Sequence, residues 1–160
     1  MQRHNIHGTG IVLDEIGLIL RGPSGAGKSL LALLLLDFWS DRGRPALLVA
    51  DDRLDLLAEG GAITMHAPRS IEGLIELRGR GIVRRPFVSS AGVGLLVDLV
   101  DRFDRMPEED EQSAELLGVH LPRCPVPRLG LVETSHQMLL IRESFRSLQV
   151  NNGVLRQKTT

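Results

Sequence analysis

Eight consecutive residues, Gly22-Pro23-Ser24-Gly25-Ala26-Gly27-Lys28-Ser29, constrain this chain more than any other stretch. They satisfy G-x-x-x-x-G-K-[ST], a loop that wraps phosphate in its own backbone N–H groups. Such a loop belongs between a strand and a helix, because the helix N-terminus adds partial positive charge to the anion-binding amides. The flanks comply: Ile16–Leu20 is a short apolar run that reads as a buried strand, and Leu30–Trp39 is an apolar helix candidate. In that setting Lys28 reaches the β- and γ-phosphates of a nucleotide and the Ser29 hydroxyl ligates Mg²⁺. A glycine-rich turn with a surface lysine is the competing reading, and it is a poorer account of a full match in the right context.

The rest of the composition narrows the class. A chain of 160 residues is read as one domain, here 1–150, with a polar tail at 151–160 expected to be disordered. A net charge of -1 gives no basic excess of the kind nucleic-acid binders carry. Cys124 stands alone, so no intramolecular disulfide and no cysteine zinc site are expected. The polar N-terminus and the absence of any apolar run near 20 residues, about the length of a membrane span, make a cytoplasmic protein the default expectation.

Read in order, Gly10–Leu13 and Ile16–Leu20 form two strands joined at Asp14-Glu15. Ala46–Ala50 reads as a fully buried parallel strand running into Asp51-Asp52. Carboxylates at the end of a core strand are where such a fold holds metal or polarises a nucleophile, and adjacent residues point to opposite sides and can divide those tasks. Arg53–Leu57 and Ala62–Met65 pair as a hairpin around Glu59-Gly60-Gly61. Glu76 and Arg78 fall on one face of a strand within a segment that also carries Arg80, Arg84 and Arg85, open to reading as a solvated face, a subunit contact or an anion site. Val93–Val100 is core, with Gly92 and Gly94 hinting at a bend or a close backbone approach. Pro107–Glu111 reads as an exposed loop or helix start, Pro122–Pro127 as part of a proline-rich loop ended by Gly130, and Leu139–Leu148 as a terminal helix.

With these residues in hand, the chain resembles the catalytic domain of bacterial HPr kinase/phosphorylase over roughly residues 3–148. Ile6-His7-Gly8 is similar to that family's His-Gly element, the phosphate loop follows at the family's distance, and Val49–Arg53 is similar to its A-D-D segment. Ile75-Glu76-Leu77-Arg78-Gly79-Arg80-Gly81-Ile82 resembles the signature E-I-R-G-x-G-I, Phe103–Met106 a D-R-L element, and Pro125–Gly130 a P-V-x-x-G segment. The resemblance implies an α/β fold with a P-loop core sheet flanked by helices and extra β-hairpins, of the phosphoenolpyruvate carboxykinase-like kind. It implies a kinase that uses ATP and Mg²⁺ to phosphorylate a serine on an HPr-like phosphocarrier, can remove that phosphate with release of pyrophosphate, and can form a homo-oligomer. In that reading Asp52 is the general base with His7 near it. Lys28 and Arg105 stabilise the transferred phosphoryl group. Ser29, Glu76 and Asp51 serve the metal, and Arg78, Gly79 and Gly81 bear on the reverse reaction.

Differences from the family pattern define the alternatives. The chain starts at the His-Gly element and so resembles a short form without the N-terminal domain. Pro23 stands where longer members carry Asp, and Arg84–Ser90 replaces a glycine-rich loop. The alternatives are an ATP-binding regulatory module that binds the phosphocarrier without phosphorylating it, and a small-molecule P-loop kinase. Pyrophosphate is open as an alternative donor.

Overall fold

Apolar runs interrupted by glycine and acidic turns divide the chain into short strands, and the computed structural model, which describes residues 3–157, arranges them around two α-helices. Strands β1 (His4–His7), β2 (Thr9–Leu13) and β3 (Ile16–Arg21) lead into helix α1 (Lys28–Asp41). Strand β4 (Ala46–Ala50) is followed by a hairpin of β5 (Arg53–Glu59) and β6 (Ala62–His66) and a separate hairpin of β7 (Leu74–Leu77) and β8 (Gly81–Arg84). Strands β9 (Ser90–Val100), β10 (Ser113–Leu116) and β11 (Val119–Pro127) precede helix α2 (Thr134–Gln157). The main sheet runs β1-β5-β6-β9-β3-β2-β4. The α/β class with added hairpins is therefore as the sequence implies.

Strand β9 is the hinge of this sheet. Its first residues pair antiparallel with β6, and its last pair parallel with β11, while β3 pairs parallel along its other edge. The register slips between Gly17 and Leu18, and a Cβ on Gly17 would lie 1.9 Å from the Gly92 carbonyl oxygen. Only glycine at 17 permits that approach to the Gly92 backbone, whereas a Cβ on Gly92 itself would meet nothing within 4 Å. Strands β3, β9 and β11 run the same way, so the loops after each leave one edge of the sheet. In open α/β sheets that carboxyl edge is where ligands bind.

One strand is placed differently from the sequence reading. Strand β4 is not in a parallel pair with β3: it pairs antiparallel with β2, which in turn pairs antiparallel with β3. Two reversals restore the direction, so β4 still delivers Asp51-Asp52 to the carboxyl edge. A uniformly apolar run signals burial on both faces but does not name its partner. The outer edge of β4 is covered by residues 86–88, through Leu48 N–H to the Pro86 carbonyl at 2.9 Å and Val88 N–H to the Leu48 carbonyl at 2.9 Å.

The proline-rich segment also departs from its loop reading, since it forms most of β11. Pro125 and Pro127 lie two residues apart, so both missing N–H groups face one edge, beyond β10, whose pairing stops at Ser113–Pro122. There the Pro127 carbonyl accepts from buried Gln137 at 2.8 Å. Helix α2 begins five residues before Leu139 and continues past residue 150 into the segment expected to be without order; residues 158–160 lie outside the described residues.

Alternation along β3 and β9 sorts the core into two layers. Leu18, Leu20, Leu95 and Val97 face α1 and α2, while Ile19 and Leu96 face the β5–β6 side with Leu54, Leu56 and Met65. Each such buried side chain contributes about 1.5–3 kcal/mol. Helix α1 is apolar nearly all round because it packs on the sheet and also on α2, where Trp39 and Phe145 meet at 5.4 Å between ring centroids.

Candidate active site

The loop between β3 and α1 is folded by its own backbone. Ala26 N–H donates to the Pro23 carbonyl at 3.1 Å, and Gly27 precedes α1 with φ 96°, a left-handed conformation open to glycine. A Cβ on Gly27 would come within 3.0 Å of Leu129 Cβ, so the residue is fixed by space as well as by φ. Leu129 is tied to the loop in turn, its N–H donating to the Ala26 carbonyl at 3.1 Å. No side chain caps α1 and its first turn holds no acidic residue. The N–H groups and the positive helix end are therefore left for an anion.

These elements line a cleft of about 300 Å³ formed by Ser24, Gly25, Gly27, Lys28, Ser29, Leu30, Asp51, Asp52, Glu76, Leu77, Arg78 and Leu129. The Lys28 side chain is only 7% exposed. Its ammonium donates to the Gly22 carbonyl at 2.7 Å and the Pro23 carbonyl at 3.4 Å, which offset the cost of burying a charge. The Asp52 carboxylate lies 3.9 Å from Lys28 Nζ and is 62% exposed, so it flanks the loop while remaining open to an incoming group. Asp52 itself has φ 65°, an uncommon left-handed conformation for a residue with a side chain.

Asp51 is wired inward. Its Oδ1 accepts from Ser29 Oγ at 2.7 Å and from Thr9 Oγ1 at 3.1 Å, and its Oδ2 accepts from Glu76 N–H at 3.1 Å. Ser29 and Asp51 thus form a contiguous set of hard oxygen donors. That set fits Mg²⁺, which keeps several waters and takes one or two carboxylates together with substrate phosphates. Glu76 lines the same cleft, and its carboxylate sits 3.8 Å from Arg78 Nε. Glu76 lies on β7, but Arg78 falls in the turn beyond it rather than on the same strand face, next to Gly79 (φ 94°), and Gly81 (φ 107°) opens β8 opposite Leu77. The arginines that follow divide in role: Arg78 lines the cleft, whereas Arg85 is bound bidentately to Asp37 on α1, at 2.9 and 3.0 Å.

Of the expected residues, Gly22, Pro23, Ala26, Gly79 and Gly81 adjoin the lining without being part of it, and His7 and Arg105 stand apart from it. His7 ends β1 opposite Arg53, and its neighbour Gly8 donates its N–H to the Asp52 carbonyl at 3.1 Å, but the His7 ring is exposed and does not line the cleft. Arg105 lies on the exposed loop after β9 and lines a second, smaller hollow with Phe103 and His136, whose rings meet edge to face at 5.8 Å. Behind the phosphate loop, Asp98 accepts from Arg21 at 2.8 and 2.9 Å and from Arg123 at 2.6 Å. Burial pushes the Asp98 carboxyl up, but the two arginines outweigh it through hydrogen bonds and charge and hold it below its ordinary range. Neither Thr9 nor this triad is visible as a sequence motif. The only local signal for Thr9 is a hydroxyl in an otherwise apolar strand.

The chain matches the family described as the HPr serine kinase C-terminal domain over residues 1–146. It is 33% identical over 135 residues to HPr kinase/phosphorylase 1 of Oceanobacillus iheyensis, covering 76% of this chain and 41% of that protein. It is 30% identical over 139 residues to the HPr kinase/phosphorylase of Lactobacillus acidophilus, covering 79% of this chain and 41% of that protein. The chain therefore spans well under half the length of these curated relatives. A solved structure, the Hpr(Ser) kinase/phosphatase from Coxiella burnetii, superposes with a TM-score of 0.72 at 27% identity, covering 94% of this chain and 99% of that one.

Proposed function

The chain belongs to the family of HPr serine kinase C-terminal domains, and from that premise we propose that it transfers the γ-phosphoryl group of ATP to a serine hydroxyl on an HPr-like phosphocarrier. The observation that supports this most is the placement of Asp52, exposed at the cleft and 3.9 Å from the buried ammonium of Lys28. The serine oxygen attacks the γ-phosphorus, the bond from that phosphorus to the β–γ bridging oxygen breaks, and ADP leaves. The serine proton passes to the Asp52 carboxylate. Phosphoryl transfer is mostly positioning and charge neutralisation, and the backbone cradle of residues 22–29 with Lys28 supplies both. Ser29 and Asp51, with Glu76 beside them, would hold Mg²⁺, which would supply charge neutralisation on the phosphates. Arg78 lines the same cleft, and with the glycines at 79 and 81 that follow it serves the reverse reaction. In that direction inorganic phosphate attacks the phosphoserine phosphorus, the bond from that phosphorus to the serine oxygen breaks, the serine oxygen takes a proton from Asp52, and pyrophosphate leaves.

Transfer of labelled γ-phosphate to a purified HPr-like protein tests the reading, with ATP and pyrophosphate compared as donors. We expect phosphoserine from wild type with ATP, and about 10³-fold slower formation by Asp52→Asn while nucleotide binding is kept. Wild type that binds ATP and yields no phosphoserine would overturn it. One observation favours a second reading, nucleotide-gated binding of the phosphocarrier without transfer: Arg105 stands outside the cleft lining. An ATP-dependent complex without phosphoserine would select that alternative.

A further inference from the structure

Thr9 is the one hydroxyl in the strand Thr9-Gly10-Ile11-Val12-Leu13, and it is fully buried. Valine would match its shape there without the cost of burying an oxygen. The hydroxyl is used twice. It donates to Asp51 Oδ1 at 3.1 Å, and it accepts the N–H of Asp52 at 3.2 Å. The preceding residue completes the grip, since Gly8 N–H donates to the Asp52 carbonyl at 3.1 Å. The backbone of Asp52 is thus held at both ends by the start of β2, and it is this residue that carries a φ of 65°. A left-handed aspartate is strained relative to extended or helical backbone and persists where its surroundings over-determine it.

We propose that Thr9 is a positioning residue for the adjacent carboxylates, locking Asp52 in the left-handed turn that aims its side chain beside Lys28 while steering Asp51 onto Ser29. The topology explains why residue 9 can do this. Strand β2 runs opposite to both its neighbours, so its first residue lies at the edge where β3 and β4 end. Without the hydroxyl, Asp52 N–H loses its partner and the backbone is free to leave the left-handed region, swinging the carboxylate off line. Asp51 Oδ1 keeps Ser29 but loses its second donor.

The kinetic part rests on the function proposed above, and a second measurement is independent of it. Thr9→Val is expected to lower kcat for phosphoryl transfer about 10²-fold, the scale of a misplacement near 1 Å. Nucleotide Kd and thermal midpoint should stay near wild type, and Thr9→Ser should restore most of kcat. Backbone amide hydrogen exchange at Asp52, followed by ¹⁵N NMR on the whole chain, should be slow in wild type and Thr9→Ser and fast in Thr9→Val. A Thr9→Val protein with wild-type kcat, or one whose Asp52 amide stays as protected as in wild type, overturns the proposal. If Thr9→Val does not fold, an Asp52 amide in wild type that exchanges like a free surface amide overturns it equally, and a protected one in both wild type and Thr9→Ser supports it. Absence of phosphoryl transfer in wild type would remove the kinase reading while leaving the amide result to decide the role of Thr9.

Discussion

The loops that follow β3 and β9 leave the same edge of the sheet and are built in opposite ways. In the loop of residues 22–29, Lys28 is buried, the carbonyls of Gly22 and Pro23 hold its ammonium, and Leu129 closes on Gly27. In the loop after β9, residues 101–110 are all exposed, and the ion pairs Arg102–Asp104, Arg102–Glu111 and Arg128–Asp101 lie at the surface. Exposed pairs of this kind contribute about 0–1 kcal/mol each. The loop of residues 22–29 and the carboxylate pair are therefore set by the fold. The loop that carries Arg105 is fastened from beneath by Arg123, which donates to the Glu111 carbonyl at 3.0 Å. One side of the proposed reaction is preformed and the other rests on a lightly held segment.

Substitutions on the two sides put that contrast to the test. The largest effect is expected at the preformed side: Asp52→Asn should lower phosphoryl transfer about 10³-fold, within the range for a general base, with nucleotide titration unchanged. Arg105→Ala asks whether the exposed loop takes part at all. A loss of about 10²-fold in kcat, the scale of one charge-stabilising donor, with an unchanged thermal midpoint would show that the loop reaches the reacting phosphoryl group. Unchanged kcat would leave Arg105 as the surface arginine its position describes and deepen the contrast.

Smaller effects follow for stability. Gly27→Ala forces a side chain into φ 96° and against Leu129, and should cost about 1–3 kcal/mol in a denaturant melt and weaken nucleotide binding. Asp98→Asn removes the shared partner of Arg21 and Arg123 and should cost about 2 kcal/mol at neutral pH, below a fully buried pair because Arg21 is 31% exposed. The sign with pH follows from the lowered Asp98 carboxyl. Its contribution is complete above the ordinary value of 3.8 and is lost as pH falls through the depressed folded value. Urea midpoints recorded against pH should therefore converge for wild type and Asp98→Asn in acid. Arg102→Ala, on the exposed loop, should change stability by no more than about 1 kcal/mol. A larger loss there would show that the loop is held more firmly than its exposure suggests.

Much of the site was legible because its residues are contiguous. The loop of 22–29, the Asp51-Asp52 pair and the Glu76–Arg78 strand end each announce themselves within a few positions, and each lines the cleft. The hairpins around Asp14-Glu15 and Gly60-Gly61 were equally plain, since positive φ at Asp14 (50°), Glu15 (70°), Gly60 (60°) and Gly61 (75°) is turn chemistry. What escaped was relational. Pro125 and Pro127 read as loop residues because proline removes a ladder donor, and only the end of β10 shows that the donors are not needed there. The partner of β4 escaped for the same kind of reason, as did Thr9, whose hydroxyl has no partner nearby in sequence.

Sequence alone specified the glycine-lined loop of residues 22–29, because a run of glycines, a lysine and a serine before a helix specify their own local backbone. It also determined that two carboxylates end a buried strand. Tertiary structure decided that β2 would lie reversed between β3 and β4, bringing Thr9 and Gly8 onto the backbone of Asp52. Main-chain hydrogen bonds between strands are the same for every apolar sequence, so the choice of neighbour comes from how the two core layers and the covering segment 86–88 pack together.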